Sequence, residues 1–292
     1  MPPALKELLS ACWGGVADRA GRSYITGPYL EDALRVCRQL AESSMTATIC
    51  YWNTLEESSQ QVTAAYLNAL GALGRENLDC YLSIKGPALG FDIHGFAELC
   101  HAARKAGIRL HFDALAPEAA DSTFKLLEQG LPLHSNLGCT LPGRWRRSVE
   151  DANWVVERGL PVRVVKGQWV DRVKPEVDQR EGFLNVIDRL LGRACHVAVA
   201  THDAPLAWEA LRRLLKAKTP CELELLLGLP LEPSWQVARD LGVKVRVYLP
   251  YGHGYVPYAP SQVRENPKIL WWVFRDLWGS RENRWPGVVP LN

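Results

Sequence analysis

Several polar side chains fall where a short apolar run gives way to a turn: Lys85, Asp113, Arg163, Lys166, Thr201, His202, Asp203, Glu224 and Tyr248. The clearest case is the stretch from Leu160 to Asp171. There a β-branched run encloses Arg163 and breaks at Lys166-Gly167, so two cations stand where a buried strand is expected to surface. With Lys85 they make a cationic set suited to a polyanionic ligand such as a phosphate-bearing cofactor. A metal is not indicated. His202 and Asp203 are adjacent and no other histidine ends a strand; adding His253 would still leave the ligand set short. No nucleophile elbow or Ser-His-Asp pattern is present. Lys85 also admits another chemistry, a Schiff-base nucleophile in a barrel lyase or hydrolase working with Asp113 and His202. Taken singly, each residue has an ordinary reading: Asp113 as a helix cap, His202 as a satisfied core histidine, Glu224 as the inward partner of a barrel cation.

These residues need a scaffold that delivers strand ends to one place. Thr46–Trp52 reads as a strand, with Thr54 able to cap a helix through Leu70. The pattern then repeats. Strands are expected at Cys80–Ile84, Ile108–Phe112, Leu131–Leu137 (weak), Val162–Val165, Ala194–Ala200, Glu222–Leu227 and Val243–Tyr248. Helices are expected near Gly95–Ala106, Ala119–Gln129, Val149–Arg158, Pro205–Lys216, Pro233–Leu241 and Pro260–Trp278. Before the first strand, Pro28 suits the opening turn of a helix through Glu42. Eight alternating units within about 250 residues have the size of a closed (β/α)₈ TIM-type barrel of the α/β class. In such a barrel the carboxyl ends of the strands form the functional mouth. An open doubly wound sheet is disfavoured, because no GxGxxG or GxxxxGK[ST] loop follows a strand and Gly252-His253-Gly254 alone is weak. The expected organisation is an N-terminal helical segment over 1–45, a barrel domain over 46–280 and a C-terminal tail over 281–292.

Composition bounds the rest. The chain has 292 residues, 47% hydrophobic and 23% charged, with a formal net charge of +2, so bulk attraction to nucleic acid or an anionic membrane is not expected. The 8 cysteines are dispersed without a CxxC pair, as for free thiols in a reducing compartment. The N-terminus lacks a secretory layout and no apolar run approaches the ~18 residues that span a bilayer, so a cytoplasmic location is expected.

In series, Ile84-Lys85 with Leu89-Gly90, Asp113, Arg163 to Gly167 with Asp171, Ala200 to Asp203, Glu222 to Gly228, Arg246 to Gly252, Tyr258 and Glu265-Asn266 resemble the flavin-dependent proline dehydrogenases. The resemblance spans about Tyr81 to Asn266. It implies a distorted barrel with a C-terminal covering helix, FAD at the strand ends, and hydride transfer from a carbon beside an amine nitrogen to flavin, leaving an imine. It implies Lys85, Asp113, Arg163 and Tyr248 as catalytic residues. Arg163, Lys166, Gly167, Thr201, His202, Asp203, Leu226 and Glu265 would meet the cofactor. Lys85, Asp113, Trp169, Tyr248, Tyr258, Ser261 and Gln262 would line the substrate pocket. Partners would be a small amine or amino-acid-derived substrate and a quinone or oxygen acceptor, with at most peripheral membrane contact through the aromatic segment Ile269–Trp278. The sequence departs from the family at Ser261 and Gln262, where paired arginines clamp the proline carboxylate, and at Asp203 (Asn), Trp169 (Tyr) and Glu224 (Gln). Each lost charge-assisted bond is worth about 1.5–3 kcal/mol. The expected substrate is therefore a modified cyclic amine rather than free proline, with a catalytically altered flavin-binding protein as the alternative.

Overall fold

The structure is a computed structural model and describes residues 25–171 and 177–254. Within them the elements are α1 (Leu30–Glu42), β1 (Thr46–Tyr51), α2 (Ser59–Leu73), β2 (Cys80–Ile84), α3 (Ile93–Ala106), β3 (Leu110–Phe112), α4 (Ala120–Gly130), β4 (Leu137–Pro142), α5 (Ser148–Glu157), β5 (Val162–Val165), α6 (Gln179–Leu190), β6 (Val197–Ala200), α7 (Ala204–Lys216), β7 (Cys221–Leu226), α8 (Glu232–Asp240) and β8 (Val245–Tyr251). Each strand pairs in parallel with the next, and β8 pairs with β1 from Thr46↔Arg246 to Tyr51↔Tyr251. The sheet is thus the closed (β/α)₈ barrel expected from the alternation. The expected N-terminal segment before residue 25, the covering helix after Pro260 and the tail over 281–292 lie outside the described residues, as do Tyr258, Ser261, Gln262 and Glu265.

Strand parity decides what meets what. Outward residues such as Ile49, Leu82, Phe112, Val164, Val199 and Val247 are buried beneath the helices and form one continuous apolar shell. The alternate positions, among them Thr48, Ser83, His111, Arg163, Glu224 and Arg246, are buried too, but they are polar and meet inside the barrel. At the N-terminal end of the barrel, Arg246 binds Glu222 at 2.9 Å and Asp79 at 2.9 Å. The Tyr81 ring separates this layer from Arg163, lying 4.5 Å from the Arg246 guanidinium carbon and 5.9 Å from that of Arg163. On the outside, α1 buries Ala33, Leu34, Val36, Cys37 and Leu40 and packs across β1 and β8, covering the seam where the barrel closes.

Three expectations shift. The fourth strand is Leu137–Pro142, not Leu131–Leu137. Pro132 has no N–H to give a ladder. At Gly138, moreover, a Cβ would come within 2.6 Å of His111 Nδ1, so a residue without a side chain lets β4 pass that ring. The cap of α2 is Ser58 rather than Thr54, through a capping box with Gln61. A helix not anticipated after β5 spans Gln179–Leu190; Asp178 caps it by accepting from Arg180 and Glu181 N–H.

Candidate active site

The carboxyl ends of β2, β3, β5, β7 and β8 bring Lys85, Asp113, Arg163, Glu224 and Tyr248 together. Arg163 is the hub. Its position between outward Val162 and Val164 turns it inward, so it is only 3% exposed rather than surfacing at the mouth. Its Nη1 donates to Asp113 Oδ1 at 2.6 Å and its Nε to Glu224 Oε2 at 2.7 Å, while Nη2 donates to the Tyr81 hydroxyl at 3.2 Å. Burial works against the guanidinium charge, but Glu224, Tyr81 and Asp113 together raise its pKa well above the ordinary value.

The Asp113 carboxylate is saturated, and that of Glu224 holds three donors. Asp113 Oδ1 also accepts from Ser83 Oγ at 2.6 Å, and Oδ2 accepts from Tyr248 OH at 2.5 Å and Cys50 Sγ at 3.6 Å. These four donors fill the lone-pair positions of a carboxylate. Glu224, 2% exposed, accepts in addition from Thr48 Oγ1 at 3.0 Å and Tyr81 OH at 3.1 Å. The Tyr248 ring lies 5.0 Å from the Arg163 guanidinium carbon; burial and then Asp113 raise its hydroxyl pKa well above normal, so it stays a neutral donor. Lys85 differs from the rest. It is 7% exposed, its Nζ donates to the Tyr51 carbonyl at 3.1 Å and stands 5.5 Å over the Trp52 ring, and no described carboxylate pairs with it. A small hollow opens beside Asp113 and Thr140, walled by Phe112, Leu127 and Trp145.

A second group gathers at the ends of β5, β6 and β7. Lys166 Nζ binds Asp203 Oδ2 at 2.7 Å, and Asp203 caps α7 by accepting from Leu206 N–H at 3.1 Å. Although burial opposes it, Lys166 holds the Asp203 carboxyl below its usual range. Thr201 Oγ1 accepts from Asp203 N–H at 3.2 Å. His202 is clamped on both sides, with Nδ1 against the Pro230 carbonyl at 3.0 Å and Nε2 accepting from Leu226 N–H at 2.9 Å. This fixes one neutral tautomer, and burial lowers its pKa. Its ring nitrogens tie the β6 turn to β7 and leave no polar atom over for a ligand. Gly167 has φ +94°, and a Cβ there would come within 2.8 Å of Pro142. Trp169 is 37% exposed, and its carbonyl accepts from Trp145 Nε1 at 2.9 Å. Among the described residues no group of His, Cys, Asp or Glu gathers to hold a metal, and no helix is long and apolar enough to cross a membrane.

No family model matches the chain. Proline dehydrogenase 1 of Bacillus subtilis (strain 168) is 24% identical over 272 residues, covering 88% of this chain and 90% of its own length. The chain is thus similar to proline dehydrogenases along most of its length. Proline dehydrogenase 2 of the same organism is 23% identical over 216 residues, covering 69% of this chain and 71% of its own length. The proline dehydrogenase of Deinococcus radiodurans is 28% identical over 151 residues, covering 49% of this chain and 48% of its own. Among solved structures, proline utilization A from Bdellovibrio bacteriovorus, inactivated by N-propargylglycine, superposes with a TM-score of 0.74 at 19% identity, covering 89% of this chain and 34% of that one. That from Bradyrhizobium japonicum gives 0.67 at 17% identity, covering 84% and 30%. This chain therefore spans about a third of the solved chains it matches, and at such identities they bear on the fold alone.

Sequence reasoning overlooked Cys50, Ser83, Thr48 and Tyr81, which complete the shells of Asp113 and Glu224. A signal was present: Thr48 and Cys50 alternate with Ala47 and Ile49, and Tyr81 and Ser83 with Leu82 and Ile84, so both pairs share the inward parity of their strands.

Proposed function

We propose that the chain is a flavin-dependent amine dehydrogenase of the proline dehydrogenase kind, acting on a proline-like cyclic amine. The observation that carries this is Lys85, a buried ammonium without a carboxylate partner among the described residues, beside the Asp113–Arg163–Tyr248 cluster, in a chain similar to proline dehydrogenases along most of its length. An unpaired charge at such depth is costly; a substrate's anionic or strongly polar group offsets that cost.

The donor set also fits FAD. Lys166, Arg144 and Arg180 flank the ends of β4, β5 and β6, with Asp203 among them, so the rim carries the cations a diphosphate needs. Lys166 and Arg180 would hold the phosphates, and Arg163 would supply positive charge to the flavin ring. When bound, FAD supplies the acceptor for the hydride lost from the carbon next to the substrate nitrogen. The chain's own groups bind and orient. Lys85 anchors the substrate's polar end, and Tyr248, pinned by Asp113, forms one wall. Asp113 has no acceptor position left for a substrate proton, so it serves as a positioning group that fixes Tyr248 and Arg163. The Trp52 ring, 5.5 Å from the Lys85 ammonium, stands between it and part of the solvent.

Free proline is not the preferred substrate in this reading. Its support is the sequence itself, which carries Ser261 and Gln262 in place of the paired arginines of the family. The acceptor is a quinone or oxygen. The test is an anaerobic absorbance titration of the purified, FAD-loaded protein with L-proline, N-alkylated prolines and proline esters. Bleaching by the modified amines at concentrations where L-proline is ineffective is expected. Turnover of L-proline with an ordinary Michaelis constant would sink the substrate assignment, and a yellow protein bleached by no amine would sink the enzymatic one.

A further inference from the structure

Arg163 carries more negative charge around it than its own charge requires. Asp113, at 2.6 Å, already balances the guanidinium, yet Glu224 lies on the opposite edge at 2.7 Å. If the fold needed only an acceptor for Nε, a neutral amide would serve at a far lower desolvation cost, because a buried carboxylate is expensive unless fully bonded. Instead the chain supplies Glu224 with Thr48, Tyr81 and Arg163 as donors, so neither of its oxygens is buried without a bond. The group Asp113–Arg163–Glu224 then bears one surplus negative charge in the barrel interior. The layer below does not cancel it, since Arg246 there is itself matched by Glu222 and Asp79. Lys85 points to the Tyr51 carbonyl and Trp52 rather than to either carboxylate.

We infer that Glu224 is a redox-tuning residue: its charge overrides that of Arg163, so that a flavin seated on the β5 end is held at a lower reduction potential than it would have with a neutral residue at position 224. The inference rests on the flavin reading above. A guanidinium beside a flavin stabilises the negative charge that reduction brings, and a carboxylate bonded to the same guanidinium at hydrogen-bond distance opposes that effect in a medium that screens poorly. Glu224 touches neither substrate nor ring in this arrangement. It acts through Arg163.

The experiment compares midpoint potentials of the FAD-loaded wild type with Glu224→Gln and Glu224→Asp, by equilibrium reduction against a dye of known potential. Glu224→Gln keeps the shape and the Nε acceptor while removing the charge; a shift to more positive potential is expected. Glu224→Asp keeps the charge and is expected to stay close to wild type. Equal potentials for wild type and Glu224→Gln, or a shift as large in Glu224→Asp, would overturn the inference. Should Glu224→Gln fail to fold, Asp113→Asn removes the other negative charge from the same guanidinium. It must move the potential in the same positive direction, and no shift there overturns the inference as well. A wild-type chain that takes up no FAD would overturn the flavin reading along with it, whereas flavin-loaded proteins of equal potential overturn this inference alone.

Discussion

Arg163 shows how much one side chain can organise. It spans three strands because its five N–H donors form a fixed fork, and each prong ends on a group that has nowhere else to go. Replacing it with Met would leave Asp113 and Glu224 buried with no cation between them. Loss of one partner of a buried ion pair costs about 3–5 kcal/mol, so Arg163→Met is expected to lower the urea midpoint by that equivalent, and Arg163→Lys to recover little of it because an ammonium cannot reach both edges. Lys85→Met should behave in the opposite way. It removes a buried charge that no carboxylate among the described residues balances, so thermal unfolding is expected at an unchanged or higher temperature, while the KM for a carboxylate-bearing substrate rises; an unfolded or markedly weakened variant would contradict this. The difference between these lysine and arginine positions could not be read from sequence. Both appear there as cations at strand ends, and only the stagger of the closed barrel shows that Arg163 lies level with two acids whereas Lys85 lies beyond them.

Among elements, the alternation of strand and helix was legible because the outward strand faces are apolar and β-branched and the helices repeat apolar residues at three and four. Where the reading slipped, a local rule was overruled by packing. Leu131–Leu137 has the composition of a strand, but its chain is turning out of α4, and the pairing falls to Leu137–Pro142, where glycine makes room for His111. The helix α6 was overlooked even though Phe183, Val186, Ile187 and Leu190 recur at helical spacing. Its N-terminus crosses β4 closely. A Cβ on Gly143 would come within 2.5 Å of the Phe183 backbone, and one on Gly182 would strike the Gly143 carbonyl. Gly182→Ala is therefore expected to destabilise the protein by about 1–3 kcal/mol, the usual cost of overpacking, measurable as a lower denaturant midpoint. An unchanged midpoint would show that β4 and α6 can part without penalty. His202 belongs at this scale too. It was legible as a residue of interest, but its two backbone bonds make it a strut between neighbouring turns.

The whole barrel is an apolar shell around a polar, charged interior, the reverse of the side-chain-filled apolar core that fills many barrels of this size. That inversion makes its stability depend on pH. Burial alone would raise the carboxyl pKa of Glu222, but His196 and Arg246 pull it from 4.5 down to about 2. A carboxylate whose folded pKa is depressed contributes stability that is fully present above 4.5 and is lost as the pH falls through about 2. The shift corresponds to about 3 kcal/mol. The stability difference between wild type and Glu222→Gln is expected to shrink over that window. A difference independent of pH there would mean that Glu222 is not held ionised by its partners.

The seam of the barrel has a consequence for how the protein is made. Thr26 bonds Pro250 across 224 residues, and α1 packs on β8, the last strand of the sheet. At roughly 5–20 residues per second, α1 leaves the ribosome about 10–45 s before that strand exists. For that interval Ala33, Leu34, Val36, Cys37 and Leu40 have no complete surface to cover. The first of the described helices to be synthesised is thus among the last to find its place, and the nascent chain spends that interval with an apolar stripe on offer to chaperones.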